Sequence, residues 1–273
     1  MKMLAAVLDG MQMPPPYAQS KPLSVETVEI GEPGPGEVLV RITAAGLCHS
    51  DLSIINGDRP RPMPMVLGHE AAGVVESCGP GVGDLARGDS VALVFVPSCG
   101  HCLPCQEGRP ALCEPGAAAN GAGTLVGGHR VLARRDGQVL NHQVGVSCFA
   151  EYAVVNRGSL VKVAPDLVPE VAAVFGCAVL TGVGAAINSA AIRLGQTVAV
   201  VGLGGVGLSA LLGALAAGAR EVVAFDVLPE KLDLALSLGA TRGFRADDPD
   251  VVAQLRAAIP GGVDIAIEAA SSV

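Results

Sequence analysis

The stretch TVAVVGLGGVGLSALLGALAAGAREVVAFD leaves a chain little choice of architecture. An apolar run from Thr197 to Val201 leads into Gly202, Gly204 and Gly207 in GxGxxG register, then an alanine- and leucine-rich helix, then a strand ending at Asp226. A strand, a tight glycine turn, a helix and a second strand make the repeating unit of a parallel sheet. Gly202 permits the turn, Gly204 lets backbone amides approach a diphosphate, and Gly207 lets helix and strand pack closely. The helix N-terminus then faces the anion. A carboxylate about twenty residues on, here Asp226, is expected to accept hydrogen bonds from adenosine ribose hydroxyls and to repel a 2′-phosphate, which favours NAD over NADP. Lys231, a little further, reads equally as a surface lysine or a second ribose contact.

The same rhythm holds from about Val171 onward. LPEKLDLALSLGA and DPDVVAQLRAAIPGG carry helical periodicity, and they are interleaved with the strands EVVAFD and VDIAIEA. After Gly195 about four of the six strands of a doubly wound sheet can be counted. Before about Pro165 the pattern is different. Short alternating or apolar runs, at Val38 to Ala44, Ala71 to Glu76 and Ser90 to Val96, are separated by turns such as EPGPGE and CGPGVGD. The expectation is an α/β chain: a β-rich domain over 1–178, abutting a partial doubly wound, nucleotide-binding domain over 179–273.

Cys99, Cys102, Cys105 and Cys113 lie in CGHCLPCQEGRPALC, with glycines and prolines turning the chain between them. Four thiolates so spaced close a tetrahedron around Zn²⁺, and the segment reads as a structural zinc lobe. Three other readings use the same residue type. A CxxC redox pair needs only two of the four, a disulfide knot belongs to a secreted chain, and an iron-sulfur cluster also draws on short cysteine runs. A closed zinc site holds a loop and performs no chemistry, so catalysis is to be sought elsewhere.

Of the 273 residues half are apolar, enough for a sizeable core, and the net charge of −8 disfavours nucleic acid as a partner. Eight cysteines behind an N-terminus that places Asp9 and a run of prolines where a signal sequence would continue point to a reducing, cytoplasmic setting. Two charge-free runs, Val171 to Ile192 and Leu194 to Ala219, are long enough to span a bilayer. Glycines interrupt both, and the second already carries the nucleotide pattern, so no membrane partner is expected.

Cys48 in GLCHSDL, His69 in GHEAAG and Cys177 in FGCAVLTG remain. Two thiolates and an imidazole with an open fourth position describe a catalytic zinc, although nothing in their spacing brings such distant residues together. The motifs GEVLVRITAAGLCHSDL, VLGHEAAGVVESCGPGV, the cysteine lobe, GCAVLTG and GLGGVG occur in the order found in zinc-dependent medium-chain alcohol dehydrogenases, which the chain resembles over essentially its whole length. The segment ending HQVGVSCFAEYAVV is similar to the branch that includes glutathione-dependent formaldehyde dehydrogenases.

The resemblance implies a GroES-like catalytic domain followed by a Rossmann domain, two zinc ions per chain, and hydride transfer between NAD and a small alcohol or aldehyde. It implies Cys48, His69 and Cys177 as catalytic zinc ligands, Glu70 behind the metal or as an occasional ligand, and Asp51 orienting the His69 ring. Zinc lowers the pKa of what it binds, bound water falling from about 15.7 to about 7, so an alcohol there ionises near neutral pH. Ser50 matches the hydroxyl that relays the alcohol proton, and it reads equally as a helix cap. Thr181 and Val206 match positions that press the nicotinamide toward the metal, though simple packing explains them too. His49 matches a position touching the diphosphate.

Some positions depart from the family. Ser53 stands where many members carry a histidine that passes the proton to solvent, so the outer relay is expected to be slower or to use water. Cys78 and Cys148 fit neither metal site and are expected as buried small hydrophobes. Family members continue well beyond Val273, so the chain is expected to be C-terminally incomplete, with VDIAIEAASSV as an apolar sheet edge and a homo-oligomer only when the remainder is present. Two further functions fit the same residues: oxidation of a glutathione-formaldehyde adduct, and zinc and nucleotide binding without turnover.

Overall fold

The computed structural model describes residues 1–270. The chain folds as two compact units, Met1–Cys177 and Ala178–Val273. The first begins with β1 (Lys2–Leu8), α1 (Tyr17–Ser20), β2 (Leu23–Ile30), β3 (Glu37–Gly46), α2 (His49–Ile55), β4 (Met65–Val66), β5 (Glu70–Cys78) and β6 (Ser90–Leu93). Two short helices, α3 (Leu103–Gln106) and α4 (Glu114–Ala122), carry the cysteine lobe. Then come β7 (Leu132–Arg134), β8 (Val139–His142), β9 (Tyr152–Asn156), β10 (Leu160–Lys162) and α5 (Pro169–Val174).

Strands β1, β2, β7, β8 and β4 close a small barrel, and a second sheet runs β10-β6-β5-β3-β9. In β1 the alternation of exposed and buried residues turns Met3, Ala5 and Val7 inward onto Val28, Ile30 and Val66. The antiparallel pairing of β3 with β5 matters most for function, because it ends with Gly46 opposite Glu70. The residues just after β3 are thereby brought beside those just before β5. The strand expected from Ser90 to Val96 stops at Leu93. Pro97, which has no N–H to offer a ladder, lies just beyond, and the chain turns toward the lobe.

The second unit holds α6 (Leu180–Gly184), β11 (Thr197–Val201), α7 (Gly205–Ala216), β12 (Glu221–Asp226), α8 (Pro229–Ser237), β13 (Arg242–Arg245), α9 (Val251–Ala258) and β14 (Ile265–Glu268). Its four strands pair in parallel in the order β13-β12-β11-β14. That is one half of a doubly wound sheet, with the switch in direction between β11 and β14. Val198 and Val200 of β11 pack with Leu211 and Ala214 of α7 and Val222 and Ala224 of β12. Small aliphatics fill this core, as the scarcity of aromatic residues requires. Among the described residues β14 is an outer strand of this sheet; Ser271, Ser272 and Val273, the end of the expected edge segment, lie outside them.

The first charge-free run forms a helix over Pro169–Ser189, of 21 residues with mean hydropathy 1.9. By length and composition it could cross a membrane. Its turns widen to the i→i+5 pattern at Phe175–Val179 and Ala185–Ser189. Ala172 and Ala173 on it are buried against Ala72 of β5.

His142, at the end of β8, is 1% exposed. Its Nε2 accepts a hydrogen bond from the Val131 N–H at 3.2 Å, and its Nδ1 has no partner among the described residues. A second proton would therefore be buried with nothing to receive it. Burial, with the nearby positive charges of His129 and Arg130, holds the pKa down to about 3 from an ordinary 6.5. A histidine depressed in the folded state contributes stability that is present above the unfolded value and is lost as pH falls toward the folded one. Between pH 7 and pH 5 the fold should lose about 2 kcal/mol through this residue. Denaturant midpoints at the two pH values, for this chain and for His142→Gln, check it. An equal pH dependence in both proteins would remove His142 as the cause.

Candidate metal and nucleotide sites

Cys48 follows β3 and caps α2 in extended conformation, and His69 directly precedes β5. The pairing of Gly46 with Glu70 is what makes them neighbours. Cys177 arrives from a different direction, on the widened turn Phe175–Val179. Extra-wide turns of this kind are frequent at functional sites. The Cys48 and Cys177 sulfurs lie 4.0 Å apart, and the Cys177 sulfur lies 3.5 Å from His69 Nε2. Glu70 Oε1 is 4.0 Å from the same nitrogen. One donor atom from each of Cys48, His69, Glu70 and Cys177 falls within 4.8 Å of every other.

This donor set fits zinc. Ligands at Zn–S and Zn–N distances of about 2.3 and 2.0 Å, arranged tetrahedrally, stand about 3.8 Å apart sulfur to sulfur and about 3.5 Å sulfur to nitrogen. Electrostatics point the same way. The Cys177 thiol hydrogen-bonds Cys48 and, with His69, draws the Cys48 thiol down to about 2, while the same contact and burial push Cys177 up. Burial also raises Glu70. For His69, burial pulls down but is outweighed by Asp51 and Cys48, and the ring is held up at about 9. Sulfurs and a carboxylate packed this closely repel one another unless a cation neutralises them.

Asp51 serves two ligands at once. Its Oδ1 meets His69 Nδ1 at 2.9 Å, leaving Nε2 to face the sulfurs, and its Oδ2 accepts the Cys48 backbone N–H at 3.1 Å. The ring of Phe95 stands edge-on to His69, with centroids 5.6 Å apart. Ser50, half-buried in the first turn of α2, helps to lower the Cys48 thiol through its backbone and hydroxyl. His49, the first residue of α2, is exposed. The Ser53 hydroxyl donates to the His49 carbonyl at 3.1 Å, inside the helix. Cys148 is buried, with its thiol on the Glu70 carbonyl at 3.4 Å, but Cys78 is only half-buried, its thiol 3.6 Å from the Leu85 carbonyl. Cys78 sits at the end of β5, where pairing with β3 runs out, so the expected burial is incomplete.

Gln143 has no counterpart among the residues singled out from the sequence. It follows β8, is 2% exposed, and its Nε2 donates to Asp51 Oδ1 at 2.7 Å. Its Oε1 accepts the Gly68 N–H. An isolated glutamine in a loop carries no motif; only the topology that lays β8 beside β4 reveals it.

Cys99, Cys102, Cys105 and Cys113 also converge to within 4.8 Å, with 3.5 Å between Cys102 and Cys105. Backbone N–H groups of His101 and Cys102 point at the Cys99 sulfur and lower its pKa to about 6. Those of Cys99 and Gly116 point at Cys113. Thiolates so bonded suit a tetrahedral zinc.

In the second unit Gly202 has a positive φ of 86° at the β11–α7 turn. A Cβ on Gly207 would stand 1.8 Å from the Gly202 carbonyl oxygen, so only glycine allows helix and strand this close. A Cβ on Gly204 would meet nothing within 4 Å, which leaves open the space a diphosphate would take before the first turn of α7. Asp226 accepts backbone N–H groups from Leu203 at 2.7 Å and Leu228 at 3.0 Å, which fixes its carboxylate at the mouth of that turn. Lys231 Nζ reaches the Leu203 carbonyl at 3.4 Å. Val206, half-buried, and Thr181, exposed, lie on the packed helices α7 and α6, where Gly182 abuts the Val206 carbonyl.

Residues 34–166 match the alcohol dehydrogenase GroES-like domain, and residues 205–273 match the zinc-binding dehydrogenase domain. The chain is 45% identical over 238 residues to alcohol dehydrogenase B of Mycobacterium tuberculosis, across 86% of this chain and 62% of that protein. It is 40% identical over 260 residues to S-(hydroxymethyl)glutathione dehydrogenase of Synechocystis sp., across 94% of this chain and 70% of that one. An alcohol dehydrogenase zinc-binding domain protein from Burkholderia ambifaria superposes with a TM-score of 0.91 at 40% identity, over 100% of this chain and 71% of the other. The chain thus spans 62% of the length of the mycobacterial relative.

Proposed function

The chain belongs to the zinc-dependent medium-chain alcohol dehydrogenase family, and on that footing we propose that it carries the metal and cofactor sites of an NAD-dependent alcohol or aldehyde oxidoreductase. The observation that supports this most is the convergence of Cys48, His69 and Cys177, from remote segments, on a volume that fits one zinc ion. Bound there, zinc supplies the Lewis acidity that makes a substrate hydroxyl titrate near neutral pH, and bound NAD supplies the hydride acceptor.

The residues of the chain take the following roles. Cys48, His69 and Cys177 hold the ion, and Glu70 stands as a fourth donor that can yield its position to substrate. Asp51 fixes the His69 tautomer, and Ser50 accepts the proton that leaves the alcohol. Gly202, Gly204 and Gly207 shape the diphosphate seat, with His49 as a further diphosphate contact. Asp226 takes the ribose hydroxyls and excludes a 2′-phosphate, which favours NAD over NADP, and Lys231 assists. Thr181 and Val206 bear on the nicotinamide. The four-cysteine lobe holds a second, structural zinc. We place the protein in the cytoplasm, where reduced thiols persist, acting on a small alcohol or aldehyde and not on nucleic acid or membrane, and homo-oligomeric when the remainder of a family-length chain is present.

Dehydrogenation of primary alcohols with NAD, followed by nicotinamide absorbance before and after chelation, tests this. Turnover is expected to vanish with zinc and return with it, and zinc-independent turnover would overturn it. The likeness to the Synechocystis enzyme favours one second reading, a glutathione-formaldehyde adduct as substrate, which predicts stimulation of formaldehyde oxidation by added glutathione.

A further inference from the structure

The geometry points to Gln143 as a positioning residue for the metal site: it holds the Asp51 carboxylate in the one orientation that serves His69 and Cys48 together. This rests on the zinc reading of Cys48, His69 and Cys177 given above. Asp51 Oδ1 receives two donors, His69 Nδ1 at 2.9 Å and Gln143 Nε2 at 2.7 Å. Without the second donor Oδ1 is held by His69 alone, and the carboxylate is pinned at its other oxygen by only the Cys48 N–H, so the orientation it imposes on the His69 ring loosens.

Gln143 is itself held from several sides. Its carbonyl takes the N–H of Gly68, the residue just before His69, so one side chain contacts both the backbone leading to the ligand and the carboxylate behind the ligand. Its own N–H is accepted by the Ser147 hydroxyl at 2.9 Å, which in turn donates to the Val66 carbonyl at 2.8 Å. Val144 (φ 44°) and Ser147 (φ 53°) adopt the left-handed region that side-chain-bearing residues rarely enter, and for a β-branched valine this is a genuine outlier. Strained backbone of this kind persists only where the surroundings over-determine it, and it clusters at functional sites. Here it bends the loop after β8 so that a buried amide meets a buried carboxylate. The amide donates to the carboxylate without adding charge, whereas a lysine would compete with zinc for the same electrostatic role.

Outer partners of metal-bound histidines typically change metal affinity by about 10- to 100-fold when removed. The expected result for Gln143→Met, similar in volume but lacking the amide, is a fall of that size in affinity at the mixed sulfur–nitrogen site, with the four-sulfur lobe unchanged. Chelator competition measures zinc affinity. Cobalt substitution separates the two sites, because a mixed S/N ligand field and an all-sulfur field absorb differently, and the S/N bands should shift and broaden in the variant. Gln143→Glu provides the second arm. It keeps an acceptor for Gly68 N–H but sets a carboxylate against Asp51, and should lose affinity at least as much. A Gln143→Glu or Gln143→Met protein that melts lower yet binds zinc and shows cobalt bands like the unsubstituted chain would make Gln143 a loop anchor only. An unsubstituted chain with no S/N cobalt spectrum would overturn the zinc reading itself.

Discussion

On the two-site zinc reading proposed above, exchanging Cys177 for alanine should take the protein from two bound zinc ions to one and abolish the proposed alcohol oxidation. The surviving ion belongs to the lobe, whose four sulfurs share no residue with the site of Cys48, His69 and Cys177. Loss of a direct ligand should exceed the roughly 10- to 100-fold penalty for losing an outer partner. With the Lewis acid gone, the alcohol oxygen keeps its ordinary acidity and the barrier rises by several kcal/mol. A fall in kcat/KM of at least about three orders of magnitude, or about 4 kcal/mol, is expected. Metal analysis beside a kinetic assay reads both. Two zinc ions retained by Cys177→Ala, with unaltered turnover, would take Cys177 out of the site.

The second large effect is at the nucleotide turn, where two neighbouring glycines should behave differently. A methyl on Gly207 would overlap the Gly202 carbonyl oxygen at 1.8 Å, and backbone cannot yield as a flexible side chain can. Gly207→Ala must separate α7 from β11, and overpacking of this severity costs about 3 kcal/mol or more. It should lower the melting temperature and remove dinucleotide binding together. Gly204→Ala meets nothing within 4 Å, at an ordinary φ of −73°, so its melting temperature should stay close to that of the unsubstituted chain while the new methyl occupies the diphosphate seat. Melting curves and NAD titration of the two variants separate packing from binding. Equal melting of both would mean that Gly207 is not a packing requirement.

The contrast shows why some of the molecule could be read from the chain alone. The β11–α7 turn is local. Its strand, glycines, helix and acid lie within one short segment, and each constraint acts on its neighbours. The cysteine lobe is local for the same reason, since its four ligands are separated only by turns. The S/N site was not legible in that sense. Nothing in the spacing of Cys48, His69 and Cys177 implies contact, and only resemblance to a family gathered them before the pairing of Gly46 with Glu70 gave the physical cause. The widened turn that presents Cys177 left no trace in a hydropathic run that also fits a plain helix. Gln143 was invisible because its role depends on a left-handed valine and on β4 lying beside β8, and neither is written in residue type.

Asp51 joins what are elsewhere separate tasks. One of its oxygens fastens the start of α2 through the Cys48 N–H and the other steers the His69 imidazole. Secondary structure and coordination chemistry therefore hang on a single side chain, and neither can be retuned alone. Any replacement that suits the ring must also suit the opening of the helix, which leaves this position almost no chemical latitude.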